Sequence, residues 1–587
     1  MELSLSLRPL LLYPSAAFLD VDEVLRGESE RLDSLTEPFA KLETFPTHHG
    51  VANWRIDGCG PGGTQLYVVP LFLPRITPLA IDVFIPDPRD YSFQLGRYLE
   101  VYRLCHQGDG SIAGLKIIDH IVCGLQHWLA GSGDLNKTLQ ALPFGSQIII
   151  NSITSNPLDM DIVLVPGYEV ERRMVSLHAL KDMWQSDILP ERWPPVIDIE
   201  ELDLYSRLKD SISVVRIVGQ PDRGRLVFKY SLQQFPYLYH ELRLLMTLPP
   251  HPNILASPAY IVTKKCSFGG KLGVCGFLIP FYESGSLGEI IPKQAVRRTL
   301  TVERKFGWAI QATQAMIHLL KNCQTYFSDL RPDNIISSLR DDGIEELKII
   351  DFEQRGNWYT WSPPEVFYLE YLQLLGQSDE VPEEYRLKCK SWLHKINCGR
   401  GKLVETYDNN PLGYNEAWNC LSSAQQESAT VYMLGKLLWC IFEEIEVTSP
   451  FETFLRSRSM ESPLEFPNFV RTPELLRGFI LDCTVGAPEH DGHVSSLVRI
   501  GSEIYTRGNL KQSLEQSSTA IVKEILTASK SWWQGECERM EIFIQQLERR
   551  SVTNHGGRES SGQEPIFQRP SLNQVLKMLE DAQRELG

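Results

Sequence analysis

Two short polar stretches near the middle of the chain restrict this protein more than any other feature. The first, YFSDLRPDNI, contains Asp329 and Asn334, and the second, LKIIDFE, places Asp351 directly after a β-branched apolar run. Carboxylate and carboxamide oxygens are the hard ligands that Mg²⁺ prefers, and a free carboxylate can accept the proton of an attacking hydroxyl. The sequence therefore predicts a site for a magnesium-bound nucleotide, in which Asp329 accepts the proton and Asn334 and Asp351 bind the metal.

Both stretches resemble motifs of the protein kinases. FSDLRPDN is similar to the family's catalytic loop HRDLKPDN, and IIDFE is similar to the strand and DFG motif that follow it. The resemblance implies that Asp329 orients the acceptor hydroxyl and that Asn334 and Asp351 hold Mg²⁺ against the phosphates of ATP. It also implies that Arg331, which stands where the family has lysine, stabilises the γ-phosphoryl group during transfer.

The resemblance continues upstream of these motifs. Lys229 ends the run LVFK at the place of the family's VAIK lysine, which binds the α- and β-phosphates, and Glu241 on the next amphipathic helix is placed to pair with it. The turn HPNIL follows that helix. The run FLIPFY then resembles the hinge, which implies that the backbone of Phe281 and Tyr282 faces the adenine.

Motifs of the kinase large lobe also recur in order. The segment SPPE, which ends at Glu365, resembles the end of the activation segment, and TVYMLGKLLW resembles the helix beyond it. Near the C-terminus QRPS resembles the start of the last helix. The resemblance implies a buried ion pair between Glu365 and Arg569.

We expect an α+β fold. The resemblance implies a bilobal protein-kinase-like domain over residues 197–587, with a small antiparallel-sheet lobe at 197–282 and a large helical lobe at 283–587. Two stretches, at about 366–426 and about 488–565, are longer than the connections of a minimal kinase and are expected to be insertions.

Residues 1–189 are predicted to form a separate mixed α/β domain, for which no family is recognised. Hydrophobic periodicity predicts one amphipathic helix over Ile112–Leu129. The cluster from Gly58 to Gly63 is interpreted as a turn. The proline-rich residues 190–196 are interpreted as a linker. Strands are predicted at Leu66–Leu71, Leu79–Ile85, Gln147–Ile150 and Asp161–Val165 in this domain, and at Leu202–Leu208, Ser213–Val218 and Arg225–Tyr230 after it.

Several positions depart from the kinase pattern. The span LKDSIS contains no glycine, so Ser211 and Ser213, together with Lys209, are the candidates for binding phosphate there. Glutamate replaces the DFG glycine, and threonine replaces the aspartate that anchors the catalytic loop. Phe-Ser replaces His-Arg, so a phosphate on Tyr359, Thr360 or Ser362 would lack its arginine. We therefore expect activity that does not depend on phosphorylation of that segment.

Composition excludes other classes of function. The net charge of −16 and the sequence pI near 5.4 argue against nucleic acid or an anionic membrane as the main partner. The apolar run Leu3–Phe18 is interrupted by Arg8, Pro9 and Pro14, so no membrane insertion is expected. The 12 cysteines include no C-x-x-C pair, which favours a reducing intracellular compartment, with the cytoplasm as the default.

Three functions remain open at this stage. The favoured one is an ATP- and Mg²⁺-dependent serine/threonine protein kinase with an unidentified protein substrate. The second is a pseudokinase scaffold that recruits a protein partner through the N-terminal domain or the insertions and transfers little or no phosphate. The third is a small-molecule kinase of related fold.

Overall fold

The computed structural model describes most of the chain. The described residues are 8–34, 53–60, 63–73, 75–87, 90–105, 111–131, 139, 141–267, 269–340, 342–357, 360–399, 406–448, 464–493, 495–500, 503–507, 518–553 and 565–586. Helices and several small sheets alternate along them, so the chain is an α+β protein, as the sequence predicted. Among these residues, no helix combines the length and the apolar character needed to span a bilayer.

The N-terminal sheet has five strands in sequence order. They are β1 (Trp54–Cys59), β2 (Gln65–Pro70), β3 (Asp82–Phe84), β4 (Gln147–Ile150) and β5 (Ile162–Val165). Neighbouring strands are antiparallel except β3 and β4, which are parallel. All four predicted strands are present. Strand β1 has no counterpart among the predicted strands, and its last residues, Gly58 and Cys59, belong to the cluster that is interpreted as a turn. The turn itself is confirmed at Gly60 and Gly63, where the Gly63 N–H donates to the Gly60 carbonyl.

The described residues of the N-terminal part include six helices. Two of them precede the sheet, and a 3-10 turn at Pro14–Phe18 lies between those two. The predicted amphipathic helix is confirmed as α4, and its first residues form a separate 3-10 turn at Ser111–Gly114. The helices are α1 (Arg8–Leu12), α2 (Val21–Ser34), α3 (Phe93–Leu99), α4 (Lys116–Gly131), α5 (Tyr168–Arg173) and α6 (Leu177–Trp184).

A second sheet contains six strands in the order β6-β10-β11-β9-β8-β7. All neighbours are antiparallel except β6 and β10. The strands are β6 (Val196–Asp198), β7 (Leu202–Lys209), β8 (Ile212–Ile217), β9 (Leu226–Tyr230), β10 (Tyr260–Lys265) and β11 (Leu272–Pro280), and α7 (Phe235–Thr247) follows β9. The three predicted strands agree with β7, β8 and β9 to within one residue at each end. Val196, the last residue of the predicted linker, is already part of β6.

The remaining described residues are mainly helical and contain two small hairpins. The hairpins are β12 (Ile335–Leu339) with β13 (Glu345–Ile349), and β14 (Leu497–Ile500) with β15 (Glu503–Thr506). The helices are α8 (Leu287–Arg297), α9 (Val302–Ile317), α10 (Pro364–Gln377), α11 (Glu383–Lys395), α12 (Glu416–Asn419), α13 (Ser423–Glu443), α14 (Glu474–Cys483), α15 (Ser518–Thr553) and α16 (Leu572–Leu586).

The segment that begins at residue 8 packs against the second predicted insertion. The Trp533 indole N–H of α15 donates to the Leu11 carbonyl at 2.9 Å, and the Ser529 hydroxyl donates to the Leu10 carbonyl at 3.0 Å. Leu11 also lies in a small apolar cluster with residues of α15 and of the β14–β15 hairpin. The segment 8–34 therefore packs against the helical part of the molecule and stabilises it, although it precedes the N-terminal sheet in the sequence.

The N-terminal sheet also packs directly against the six-stranded sheet. Arg207 of β7 forms a fully buried ion pair with Asp82 of β3, and its guanidinium donates to the Tyr230 hydroxyl at 3.0 Å. The Phe144 ring meets the ring of Tyr230 edge to face at 5.6 Å. The two sheets are therefore joined by a buried contact as well as by the segment 190–196.

Candidate functional site

Lys229 lies at the centre of a cluster of three carboxylates. Its ammonium nitrogen is 2.5 Å from Asp351 Oδ1, 2.6 Å from Glu241 Oε2 and 3.2 Å from Glu353 Oε1. Lys229 and Glu241 are buried, whereas the Asp351 side chain keeps 36% of its surface exposed. The predicted pairing of Lys229 with Glu241 is therefore present, and Asp351 is the carboxylate of the cluster that solvent reaches most easily.

Helix α7 brings Glu241 to this cluster. Leu238, Leu242 and Leu245 are buried on its apolar face, which fixes the rotation of the helix about its axis. Glu241 then points at the strand that carries Lys229, and its Oε1 accepts the Phe352 N–H at 2.9 Å. One carboxylate thus connects β9 to the segment after β13.

The Lys229 ammonium and the Asp351 carboxylate stabilise each other's charge, whereas burial raises the pKa of Glu241 to about 7. Burial alone would lower the pKa of Lys229, but the carboxylates of Asp351, Glu241 and Glu353 outweigh it and raise that pKa above its ordinary value. Burial acts to raise the pKa of Asp351, yet the neighbouring ammonium outweighs it and lowers that pKa. Lys229 is therefore a protonated cation and Asp351 an ionised carboxylate at neutral pH.

The β12–β13 hairpin places Asn334 close to Asp351. Ile335 and Ile349 are paired across the hairpin, so the residue before the first strand and the residues after the second lie at the same end. The Ile350 N–H donates to the Asn334 carbonyl at 3.0 Å. Asp351 has a φ of +70°, a strained value for a residue with a side chain, and such strain is common at functional sites.

Asp329 lies beside Asn334 in the loop that precedes the hairpin. The Asn334 amide donates to Asp329 Oδ2 at 2.7 Å and to the Asp329 carbonyl at 3.0 Å, while Arg331 Nε is 3.4 Å from Asp329 Oδ1. Burial raises the pKa of Asp329 to about 6, with Arg331 opposing the shift and Asp351 adding to it. Asp329 is thus ionised at neutral pH but can take up a proton at modest cost.

A cleft of 590 Å³ lies beside these groups. Lys229, Asp329 and Asp351 line it together with Lys209 at the end of β7 and Ser211 in the turn to β8, whereas Glu241 and Asn334 are not among its lining residues. Lys209 is close enough to lower the pKa of Asp351. The structure thus brings two of the three candidate phosphate binders of the glycine-free turn to the carboxylates, although they are distant in sequence.

Ser213 does not share this cleft. It is paired with Phe228 across β8 and β9, whereas Ile212 is paired with Lys229, and alternate residues of a strand face opposite sides. Ser213 is therefore buried on the side of the sheet that packs against the N-terminal sheet. This strand register contradicts the prediction that Ser213 binds the nucleotide.

Phe281 and Tyr282 lie just after β11 and are not among the residues that line the 590 Å³ cleft. The Arg225 guanidinium stacks on the Phe281 ring at 4.8 Å, and the Tyr282 carbonyl accepts the Gly285 N–H at 3.4 Å. Their assignment to adenine binding stays a prediction.

Glu353 has a role that the kinase-like motifs do not indicate. It stands where the family has glycine, and its carboxylate contacts both Lys229 and, at 2.5 Å, Arg355. The sequence signal is the replacement itself, because a charged side chain two residues after Asp351 must find a partner when it is buried.

His240 also contributes to the site, and nothing in the sequence indicates it. Its Nε2 is 2.7 Å from Gln354 Oε1, and the Gln354 amide donates to the Tyr326 carbonyl at 2.6 Å. Burial lowers the pKa of His240 to about 4, so the ring is neutral. This chain of contacts connects α7 to the loop that carries Asp329.

Two structural features of the kinase resemblance lie in the helical part of the molecule, the Glu365–Arg569 ion pair and the position of Thr430. The predicted ion pair is present: Arg569 Nη1 is 2.6 Å from Glu365 Oε1, and both side chains are buried. Thr430, at the place of the anchoring aspartate, donates its hydroxyl to the Gln426 carbonyl of its own helix instead. Tyr359 lies outside the described residues.

The donor set suits a hard divalent cation. Oxygens of Glu241, Asp351 and Glu353 lie within 4.8 Å of one another, but the Lys229 ammonium already compensates their charge. The Asn334 amide nitrogen donates to Asp329, so the Asn334 amide oxygen and the partly exposed Asp351 carboxylate are the two oxygen donors that the sequence predicts as metal ligands. Their binding of Mg²⁺ stays a prediction.

No protein-family model and no curated protein matched this chain.

Proposed function

We propose that this protein is an ATP- and Mg²⁺-dependent phosphotransferase of the bilobal protein-kinase-like fold, which transfers the γ-phosphate to a serine or threonine of a protein substrate. The observation that carries the proposal is the convergence of Lys229, Asp329 and Asp351 on one cleft, with Glu241 paired to Lys229 behind it, although these residues are far apart in the sequence. The order of the antiparallel strands β7 to β11, with α7 inserted after β9, supports the same assignment.

Asp329 acts on the acceptor. Its Oδ1 is buried and accepts no hydrogen bond from the described residues, so it keeps the capacity to accept one from a substrate hydroxyl. With a pKa of about 6 it is ionised at neutral pH and can orient the hydroxyl and receive its proton. Arg331, 3.4 Å from the same oxygen, supplies positive charge beside the transferred phosphoryl group.

Asn334 and Asp351 hold the ion, which when bound supplies positive charge that neutralises the phosphate oxygens. Lys229 binds the α- and β-phosphates. Its ammonium already has three carboxylate partners, so one partner must give way to a phosphate. Glu353 is the most distant at 3.2 Å and has Arg355 as a second partner at 2.5 Å, and it therefore leaves most easily.

Thermal shift with Mg-ATP tests the proposal. A nucleotide that binds only the native state raises its melting temperature. We expect an increase of several degrees for the wild-type chain with Mg-ATP and none for Asp351→Ala. Asp379→Asn is the matched control, because Asp379 is an exposed aspartate outside the cleft. Equal melting temperatures with and without Mg-ATP in the wild type would reject the proposal.

A scaffold without phosphoryl transfer is the second candidate. The three carboxylates around Lys229 and the glycine-free turn favour it, because both weaken the binding of phosphate. It predicts that partner binding survives Asp329→Asn and that no γ-phosphate appears on any acceptor.

A further inference from the structure

The N-terminal part of the chain forms one side of the cleft that contains Lys229, Asp329 and Asp351. Nothing in the kinase-like motifs requires such a wall. It includes the ends of strands β2, β3 and β4 and one face of α5, and we call it the N-terminal wall. Its members are Gln65, Phe84, Gln147, Glu169, Val170 and Arg173.

Helix α5 holds its part of the wall in a fixed position. Glu171, in the middle of the helix, is buried; it pairs with Lys264 at 2.6 Å and accepts the N–H groups of Phe144 and Ser267. These contacts fasten α5 to both sheets. The side chain two residues later, Arg173, is thereby held at the cleft.

Arg173 differs from the neighbouring arginine in its partners. Arg172 is exposed and pairs with Glu169 at 3.2 Å. Arg173 is half-buried, donates to the neutral Gln233 carbonyl and has no carboxylate partner within ion-pair distance among the described residues. It therefore brings an uncompensated positive charge to a cleft whose other large charges are mostly paired.

A guanidinium in this situation suits a phosphate. Its planar group of donors matches phosphate oxygens in two parallel hydrogen bonds, and partial burial strengthens those bonds. A phosphate dianion would compensate the charge that no carboxylate of the described residues compensates. Because Lys229 and Asp351 line the same cleft, a nucleotide bound to them extends its phosphate chain in the space that Arg173 borders.

We propose that Arg173 is a nucleotide-binding residue, contributed by the N-terminal part of the chain, which binds the terminal phosphate of ATP. The inference rests on the proposed function, since it assumes that the nucleotide lies against Lys229 and Asp351. The N-terminal wall is then a part of the nucleotide site rather than a separate module.

Isothermal titration of the full chain with Mg-ATP, Mg-ADP and adenosine tests this inference. The variants are Arg173→Gln, Arg173→Lys and the control Arg172→Gln. We expect Arg173→Gln to raise the Kd for ATP roughly tenfold, the loss that one charge-assisted hydrogen bond gives. Arg173→Lys should fall between it and the wild type. The Kd values for ADP and adenosine should not change, and Arg172→Gln should bind all three as the wild type does.

Two results would overturn the role of Arg173 and leave the proposed function intact. An unchanged Kd for ATP in Arg173→Gln would mean that the guanidinium contacts no phosphate. An equal loss for ATP, ADP and adenosine would mean that Arg173 only supports the fold through Gln233. A wild-type chain that binds no ATP would reject the proposed function, and the role of Arg173 would fall with it.

Discussion

At the scale of single residues, Lys229 and its partners decide what this site can do. A buried lysine with three carboxylate neighbours stays protonated, but its ammonium group already pairs with those carboxylates and must exchange one of them for a phosphate. The sequence identified Lys229, Glu241 and Asp351 by their motifs. It did not identify the contact of Glu353 with Lys229, because motifs say which residue is replaced but not where the new side chain points.

Removal of the Glu353 charge should strengthen nucleotide binding. Glu353→Gln leaves Lys229 with one competitor fewer, and we expect the Kd for Mg-ATP to fall roughly fivefold, about 1 kcal/mol. Isothermal titration measures this, with Glu289→Gln as the control because Glu289 is half-exposed on α8 and pairs with Lys293. A Kd that rises or stays unchanged would show that Glu353 does not compete with phosphate.

The rate of phosphoryl transfer should depend on pH through Asp329. The pKa of this carboxyl is raised to about 6, and the proposal requires its ionised form. The rate should therefore rise with pH, be half-maximal near pH 6 and level off above about 7. A pH–rate profile of kcat checks this. A rate that is flat between pH 5 and 7, or that falls over this range, would contradict the role of Asp329.

At the scale of elements, the first predicted insertion braces α7. The Trp184 indole N–H donates to the Tyr407 hydroxyl at 2.8 Å, and the Tyr407 ring lies edge to face with Tyr239 of α7 at 5.4 Å. Tyr414 makes a similar contact with His240, the residue before Glu241. The helix that carries Glu241 is thus held against Lys229 by packing.

Phosphorylation of the segment before α10 should be unnecessary for activity. Thr360 and Ser362 are buried, and their hydroxyls make no hydrogen bond with the described residues. We expect the double variant Thr360→Ala, Ser362→Ala to keep a kcat within about twofold of the wild type, since exposed phosphate acceptors are not being removed. Loss of activity in a variant that remains folded by circular dichroism would show that the segment is a regulatory switch.

At the scale of the whole molecule, the sheets are joined by a contact that the sequence could not predict. Strands β2 to β5 and β7 to β9 were predictable because apolar residues alternate or cluster within each run, whereas β1 carried no such signal. The packing of the two sheets was not predictable, because the pairing of Arg207 with Asp82 connects residues far apart and has no periodic signal. For the same reason, no residue of the N-terminal wall was predicted to lie beside Asp351.

Breaking this buried pair should destabilise the protein. Arg207→Met or Asp82→Leu alone leaves a buried charge without its partner, and we expect each to lower the free energy of unfolding by roughly 3–5 kcal/mol. The double variant should recover a large part of that loss, because two apolar side chains need no compensation. Urea unfolding of the wild type, the two single variants and the double variant measures the coupling energy between Arg207 and Asp82. Additive losses in the double variant would mean that the pair does not hold the two sheets together.

Transfer of the γ-phosphate is the property on which the proposal depends most. The direct measurement is the appearance of labelled phosphate on protein acceptors, or on the chain itself, from γ-labelled ATP and Mg²⁺. The wild type should incorporate label, and Asp329→Asn and Asp351→Ala should each reduce incorporation at least a hundredfold, as removal of a catalytic base or a metal ligand does. Equal incorporation by wild type and both variants, or none by a wild type that binds Mg-ATP, would contradict the proposed phosphotransferase.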